Sequence, residues 1–349
     1  PPPFSFSSRR RHTRSASVSW ARRCVLETEA GEVNVYSYRQ PQLIKPMFDV
    51  FTEQTGITVN AVYAKKGMLE RLQSEGANSP ADLVFTVDIG RLSDTVNAGL
   101  TQSVQSEILN QNIPNEYRDP DGHWFGLTSR ARIIVTSTDR VKSGEILTYE
   151  ELVDPKWEGR ICTRSGKHPY MVALTASVIV AHGMEGAKNW LQGLKNNLAR
   201  KPQGNDRAQV KAIHSGECDV AVINHYYWAK MLADPEQVPW AESGRVVFPN
   251  QEGRGTHMNV SGAALTKHSP NKENAIKLME FLSSAKGQAL YAEKNGEYPV
   301  SDDIGKTVGF HNDLLASWGP FVKDVALLAD IASNRDAAIR LADQVGYDL

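Results

Sequence analysis

An α/β fold of two lobes, each a sheet flanked by helices with a ligand cleft between them, is the class this sequence predicts. Three observations predict it. Short apolar runs of strand length alternate with helical patterns, which implies sheets built from βαβ units. Such a series opens twice, first at Gly31 and again at Ile161. The 349 residues suffice for roughly two domains of about 150 residues each. Two lobes whose chain crosses between them more than once place a cleft at their junction, a favoured position for ligands.

The first series begins with a strand at 33–36. A helix follows in which Leu43, Ile44, Met47, Phe48 and Phe51 recur at three- and four-residue spacing, closed by Gly56. Residues 57–63 alternate as a strand, 68–72 are helical, and 81–85 form a buried strand before a helix around 92–98. Residues 124–135 are expected as the strand that carries the chain into the second unit. There, strand 161–163 precedes helices at 169–182, 185–194 and 207–214. Val220 to Ile223 is an apolar run of the kind a parallel sheet buries on both faces, and 226–232 is the helix after it. Strands at 246–248 and 260–265 follow, and then one long helix over 272–290 whose apolar face is Ala275, Ile276, Leu278, Met279 and Leu282.

Composition narrows the function classes. The formal net charge of -1 hides a basic start: the first thirty residues hold six arginines and two glutamates, so the body is mildly acidic and ill suited to nucleic acid. Residues 1–30 are also Ser-rich and lack the apolar run of a secretory signal, and are read as a disordered or non-native leader outside the fold. No run approaches the roughly 18 consecutive apolar residues of a membrane span. Cys24, Cys162 and Cys218 show no C-x-x-C spacing, which argues against a zinc site. Cys162 and Cys218 fall in short strands that a doubly wound sheet can bring together, so a disulfide and two buried thiols both remain open.

The chemistry concentrates in tyrosines. Tyr226 and Tyr227 follow the buried run ending at Asn224, where the chain turns from strand to helix. Neighbouring residues of a strand point to opposite faces, so only that turn lets the two phenols converge. Tyr170 sits at a similar junction, in Ser165-Gly166-Lys167-His168-Pro169-Tyr170, where Gly166 allows a tight turn and Pro169 suits a first helical position. If the strands before the two junctions are neighbours, the three oxygens meet. Phenols ionise near pH 10, so three phenolates together need a concentrated positive charge, and hard oxygen donors fit Fe(III). Tyrosines also cluster in ordinary half-buried packing, so spacing alone leaves both readings open. His123, His168, His225 and His257 lie near these motifs and are read as hydrogen-bonded side chains rather than ligands.

Tyr36-Ser37-Tyr38-Arg39-Gln40, residues 124–135, residues 165–170 and Asn224-His225-Tyr226-Tyr227 together resemble the ferric-ion-binding proteins of bacterial iron ABC importers. The resemblance covers about residues 31–349, with the segments in the family's order. It implies a two-lobed type II periplasmic binding protein with doubly wound mixed sheets, the first lobe formed by 31–128 and 256–310 and the second by 129–255 and 311–349. It also implies Fe(III) ligation by Tyr170, Tyr226 and Tyr227, with Tyr38 as a further ligand. Gln40 and Pro41 stand where several relatives carry a histidine, so a synergistic anion such as carbonate is expected to complete the shell. Arg39, Arg130 and Arg132 are candidates to hold that anion, with Arg130 and Arg132 expected on opposite faces of their strand so that one reaches the cleft. Ser165 and Gly166 are expected to donate to the anion at a helix start, and Asn224 and Gln40 to lie near the metal. Tyr298, in Glu297-Tyr298-Pro299-Val300, reads as a packed turn residue or a group behind the ligands.

The function implied is a periplasmic receptor that delivers Fe(III) to an inner-membrane ABC permease, acting as a monomer without catalysis. The alternative within the same fold is a receptor for thiamine, a polyamine or an organophosphate, whose sites use aromatic cages or helix N-termini. An α/β enzyme is the third class. The sequence lacks a G-x-S-x-G elbow, a P-loop, a G-x-G-x-x-G after a strand and an H-E-x-x-H motif.

Overall fold

The computed structural model describes residues 31–300, 309–324 and 326–349; the leader 1–30, with Cys24, lies outside them. Strand β1 (Glu32–Ser37) leads to helix α1 (Pro41–Thr55), then β2 (Thr58–Tyr63), α2 (Met68–Glu75), β3 (Leu83–Thr86), α3 (Ile89–Asn97) and α4 (Glu107–Asn112). β1 pairs in parallel with both β2 and β3, as βαβ units dictate. α1 buries Ile44, Met47, Phe48 and Phe51 against this sheet, and Gly56 ends it in the left-handed conformation at φ 74°.

The long strand β4 (Phe125–Ser137) is buried at every position. Beyond it come β5 (Ile161–Cys162), α5 (Pro169–Asn196), α6 (Asp206–His214), β6 (Val220–Asn224), α7 (His225–Leu232), α8 (Val238–Glu242), β7 (Gly244–Val247) and β8 (Met258–Leu265). Helices α9 (Lys272–Ser283), α10 (Ala285–Asn295), α11 (Gly309–Trp318), α12 (Leu328–Ser333) and α13 (Arg335–Gln344) complete the chain. Hydrogen-bonded neighbours run β2-β1-β3-β8-β4-β6-β5, with β7 also on β4. β4 is what joins the two lobes: Phe125 to Ala131 pair antiparallel with β8, whereas Arg132 to Thr136 pair with β6. The sheets are therefore mixed, with β4 shared between them.

One helix boundary differs from the sequence expectation. The helix expected over 272–290 breaks at Ser284, whose backbone is extended and whose hydroxyl accepts the Gly287 N–H to begin α10. A Cβ at Gly287 would lie 2.3 Å from the Phe281 carbonyl oxygen, so this tight corner requires glycine. The two helices expected at 169–182 and 185–194 are both present within α5, parted at Gly183, whose backbone is non-helical with φ 71° and ψ 176°. α5 is long and apolar enough to span a membrane by composition, but 56% of its apolar window is buried inside the protein, as suits a core helix.

The cysteine question is resolved by topology. β5 and β6 are parallel neighbours, pairing Ile161 with Val220 and Cys162 with Ala221, and Cys162 is bonded to Cys218 with Cα atoms 5.9 Å apart. The bond ties the strand before α5 to the strand before α7 across a sequence separation of 56 residues. Closing a loop of that size restricts the unfolded chain by about 4 kcal/mol. Replacing both cysteines by serine is expected to lower stability by about that amount in a urea titration, with iron-independent circular dichroism unchanged at neutral pH.

Candidate metal-binding cleft

The pairing of β5 with β6 sets the starts of α5 and α7 side by side at the carboxyl ends of parallel strands. α5 opens on Pro169, and the His168 imidazole accepts the Tyr170 N–H at 3.2 Å. Asn224 is still extended, and His225 begins α7, so Tyr226 and Tyr227 occupy its first turn. Helical geometry turns the two side chains to neighbouring directions, and their rings lie 4.4 Å apart. The Tyr170 and Tyr226 hydroxyl oxygens are 3.0 Å apart. Burial, then the neighbouring Tyr170 and Tyr227 phenols, push Tyr226 well above its ordinary pKa. Burial and Tyr170 raise Tyr227 in the same way. Tyr226 and Tyr227 are thus protonated at neutral pH unless a cation displaces their protons.

Guanidinium groups surround it. Arg130 and Arg132 both approach the Tyr170 ring, at 5.7 and 5.8 Å, which corrects the expectation of opposite faces. Residues two apart on a strand share a face; adjacent ones do not. Arg164, which sequence reasoning missed although it adjoins Ser165, lies 5.2 Å from the same ring. Asp206 binds Arg132 at 2.7 Å, Arg164 at 3.1 Å and the Asn224 N–H at 2.7 Å. Burial opposes its charge, but Arg132 and Arg164 outweigh that and hold its pKa below the usual carboxylate range. On the other side Glu297 receives Arg39 at 2.8 Å and lies 3.9 Å from Arg130. Asp206 carries no sequence signal, since a lone carboxylate at a helix start is ordinary, and Glu297 enters the sequence reading only as part of the segment around Tyr298.

Lys230, one turn along α7, points its ammonium toward the Tyr226 ring at 6.0 Å; burial pushes its pKa down to about 8. Burial also holds His257 neutral, with its pKa lowered to about 3, and His225 likewise to about 4. The His225 Nδ1 accepts the Ala131 N–H at 3.1 Å and its ring stacks on Tyr298 at 4.4 Å.

Other expected site residues lie elsewhere. The Tyr38 hydroxyl accepts the Leu69 N–H at 3.0 Å while Arg91 covers its ring at 4.4 Å, so it is directed at α2 and not brought to the phenol cluster. Gln40 is exposed at the start of α1 and bonded to Gln42. Ser165 and Gly166 do not face a free anion site: the Asp348 carboxylate accepts the Ser165 hydroxyl at 2.7 Å and the Gly166 N–H at 2.9 Å. The C-terminal segment packs against this turn, so a carboxylate of the chain itself fills the role expected of an anion. The Asn224 side-chain oxygen accepts from Arg132 at 3.0 Å. Behind Tyr170, a cavity with room for about one water is lined by Arg130, Arg132, Asn224, His257 and Asn259. Each of those five presents a buried polar atom without a protein partner.

Residues 36–289 match the family described as bacterial extracellular solute-binding protein. The chain belongs to that family. Iron uptake protein A1 of Synechocystis sp. is 45% identical over 322 residues, which cover 91% of this chain and 88% of the relative. The crystal structure of Pasteurella haemolytica apo ferric ion-binding protein A superposes with a TM-score of 0.86 at 50% identity, covering 91% of this chain and 98% of that one. A Trichodesmium protein solved in complex with iron and citrate ligands is 40% identical, with a TM-score of 0.84 over 91% of this chain and all of that one. These relatives place the chain among the ferric-iron-binding members, which are binding proteins and not enzymes.

Asp206→Asn leaves two buried guanidiniums uncompensated and is expected to destabilise the protein by about 3–5 kcal/mol in urea titrations at pH 7. The folded pKa of Asp206 lies below its unfolded value near 4, so its stabilisation is present above about pH 4 and fades as pH falls through the folded pKa. The difference between parent and Asn variant should therefore shrink on acidification, which the same titrations repeated down to pH 3 will measure.

Proposed function

We propose that this chain is a periplasmic Fe(III) receptor that holds the ion with the phenolates of Tyr170, Tyr226 and Tyr227 and delivers it to an inner-membrane ABC permease. The observation that carries this reading is the convergence of three phenols at the ends of two neighbouring parallel strands, with the Tyr170 and Tyr226 oxygens 3.0 Å apart. Three protons leave as the trivalent ion enters, so the charges of ion and ligands balance. Iron-binding relatives of 40 to 50% identity over nine-tenths of the chain support the choice of metal.

A synergistic anion, carbonate or another such as citrate, completes the shell in this reading. Arg39 and Arg130 flank Tyr226 and Tyr170, and the unpartnered donors of Arg130, Arg132, Asn224 and Asn259 favour negatively charged oxygen. Tyr38 bonds to the Leu69 N–H and Gln40 to Gln42, so neither is counted among the ligands in this reading. The lobes in this scheme are 31–128 with 256–310 and 129–255 with 311–349, closing on a hinge formed where β4 changes partners between Ala131 and Arg132.

Ferric citrate added to the metal-free protein is expected to produce a visible phenolate-to-iron charge-transfer band and to raise the melting temperature. Tyr226→Phe and Tyr170→Phe should each lose most of the band. A colourless parent protein stabilised by thiamine or spermidine instead would overturn the assignment. Because the phenol pKa values of Tyr226 and Tyr227 are raised, protons compete with the metal, and the band should fade as pH falls, with more than one proton taken up per ion released. A spectrophotometric pH titration measures both the midpoint and that proton number.

A further inference from the structure

We propose that Arg335 and Asp94 fasten the two lobes together beside the phenol cluster, and that they thereby set how fast the cleft gives up its ion. The identity of the cargo rests on the ferric reading above; the geometry of the fastening does not.

α3 belongs to the first lobe, leaving β3, which pairs with β1. α13 is anchored to the other lobe. Just beyond α13, the Tyr347 hydroxyl lies 2.8 Å from that of Thr163, Asp348 holds Ser165 and Gly166, and the Val345 carbonyl accepts the Lys195 ammonium at 2.9 Å. Yet Arg335, the first residue of α13, reaches back and donates to Asp94 on α3 at 2.7 Å, across 241 residues of sequence. Under this contact Ile331 of α12 is almost fully buried, and with Ile89, Val172 and Pro169 it lines the seam between the lobes. Pro169 precedes Tyr170, so the seam borders the proposed metal site directly. The Ile89 N–H also donates to Asn259, which lines the cavity behind Tyr170.

Gly90 is the feature that admits Arg335. Its backbone is ordinary helix, not the left-handed region, so conformation does not call for glycine there. Glycine is also disfavoured within a helix relative to alanine. The requirement is contact: a Cβ at Gly90 would stand 2.5 Å from Arg335 Cδ and 2.9 Å from its Nε. A side chain at position 90 forces the Arg335 side chain to shift from the position in which it meets Asp94. The pair is partly exposed, at 25% and 36% of the side-chain surface. Partly hydrated ion pairs add little to fold stability. Such a contact suits a fastening that must open in every transport cycle, since parting the lobes breaks it and wets Ile331.

The test follows loss of visible colour when iron-loaded protein meets an excess of a strong chelator. Arg335→Gln, Asp94→Asn and Gly90→Ala are each expected to release iron about two- to fivefold faster than the parent, the range an ion pair of this exposure supports. The spectrum itself should not move, because no phenol is altered. Gly90→Ala combined with Arg335→Gln should be no faster than either alone, as both remove one interaction. Release at the parental rate in all three single variants, or simple addition in the double, overturns the proposal. X-ray scattering of the metal-free proteins gives a second readout: a larger radius of gyration in the variants supports the fastening, and an unchanged radius counts against it. If no colour develops in the parent, the ferric reading has failed, and the scattering alone decides whether Arg335 and Asp94 hold the lobes.

Discussion

The cleft depends on one buried carboxylate, that of Asp206. It binds a guanidinium from β4, a second from the turn after β5, and the backbone N–H of the last residue of β6. Those are the three segments that carry Arg132, Tyr170 and the Tyr226–Tyr227 pair. A charge with no water around it tolerates little displacement, because each lost partner leaves the others uncompensated. The result is a rigid floor on which the phenols are placed before any ligand arrives, and the disulfide between Cys162 and Cys218 braces the same two strands.

Above that floor the electrostatics are deliberately unbalanced. Among the described residues, Arg39, Arg130, Arg132 and Arg164 pair with just the two carboxylates Asp206 and Glu297, and burial keeps the phenols of Tyr226 and Tyr227 protonated. A site with surplus positive charge and neutral phenols repels a bare cation. In the proposed receptor, departure of the phenol protons and entry of oxygen anions with the metal would offset that charge, which is the physical content of a synergistic anion. The same surplus explains why His168 and His257 stay uncharged: burial comes first, and guanidiniums nearby add to it. A histidine kept neutral by arginines is part of the scaffold, consistent with its hydrogen-bonding role at the start of α5.

The shared strand β4 links the two sheets. Its first half belongs to one sheet and its second half to the other, so the proposed closure would turn on a small change in twist near Ala131 and Arg132. Arg130 and Arg132 sit at that changeover and contact Tyr170 as well. Lobe orientation and ligand geometry are therefore coupled through the same residues.

The sequence by itself determined the α/β class, the strands and the helices α1 to α3, α5 to α7 and α9, and singled out the three tyrosines, because each rests on local signals: apolar period, proline and glycine at element ends, and aromatic residues where a strand turns into a helix; it offered no reading of α4, α8 or α11 to α13. It placed the break at Gly183 but missed the one at Ser284, where a serine cap outweighs the apolar pattern. Only the tertiary structure decided which partners meet. That β5 and β6 are neighbours brings Tyr170 to Tyr226 and closes the disulfide; that the C-terminus folds back gives Asp348, not an external anion, to Ser165 and Gly166. It also turned Tyr38 toward α2 and introduced Arg164, Asp206 and Glu297. Long-range ion pairs carry no period and no spacing, since their energy depends on distance in space and on exclusion of water, and neither is written along the chain.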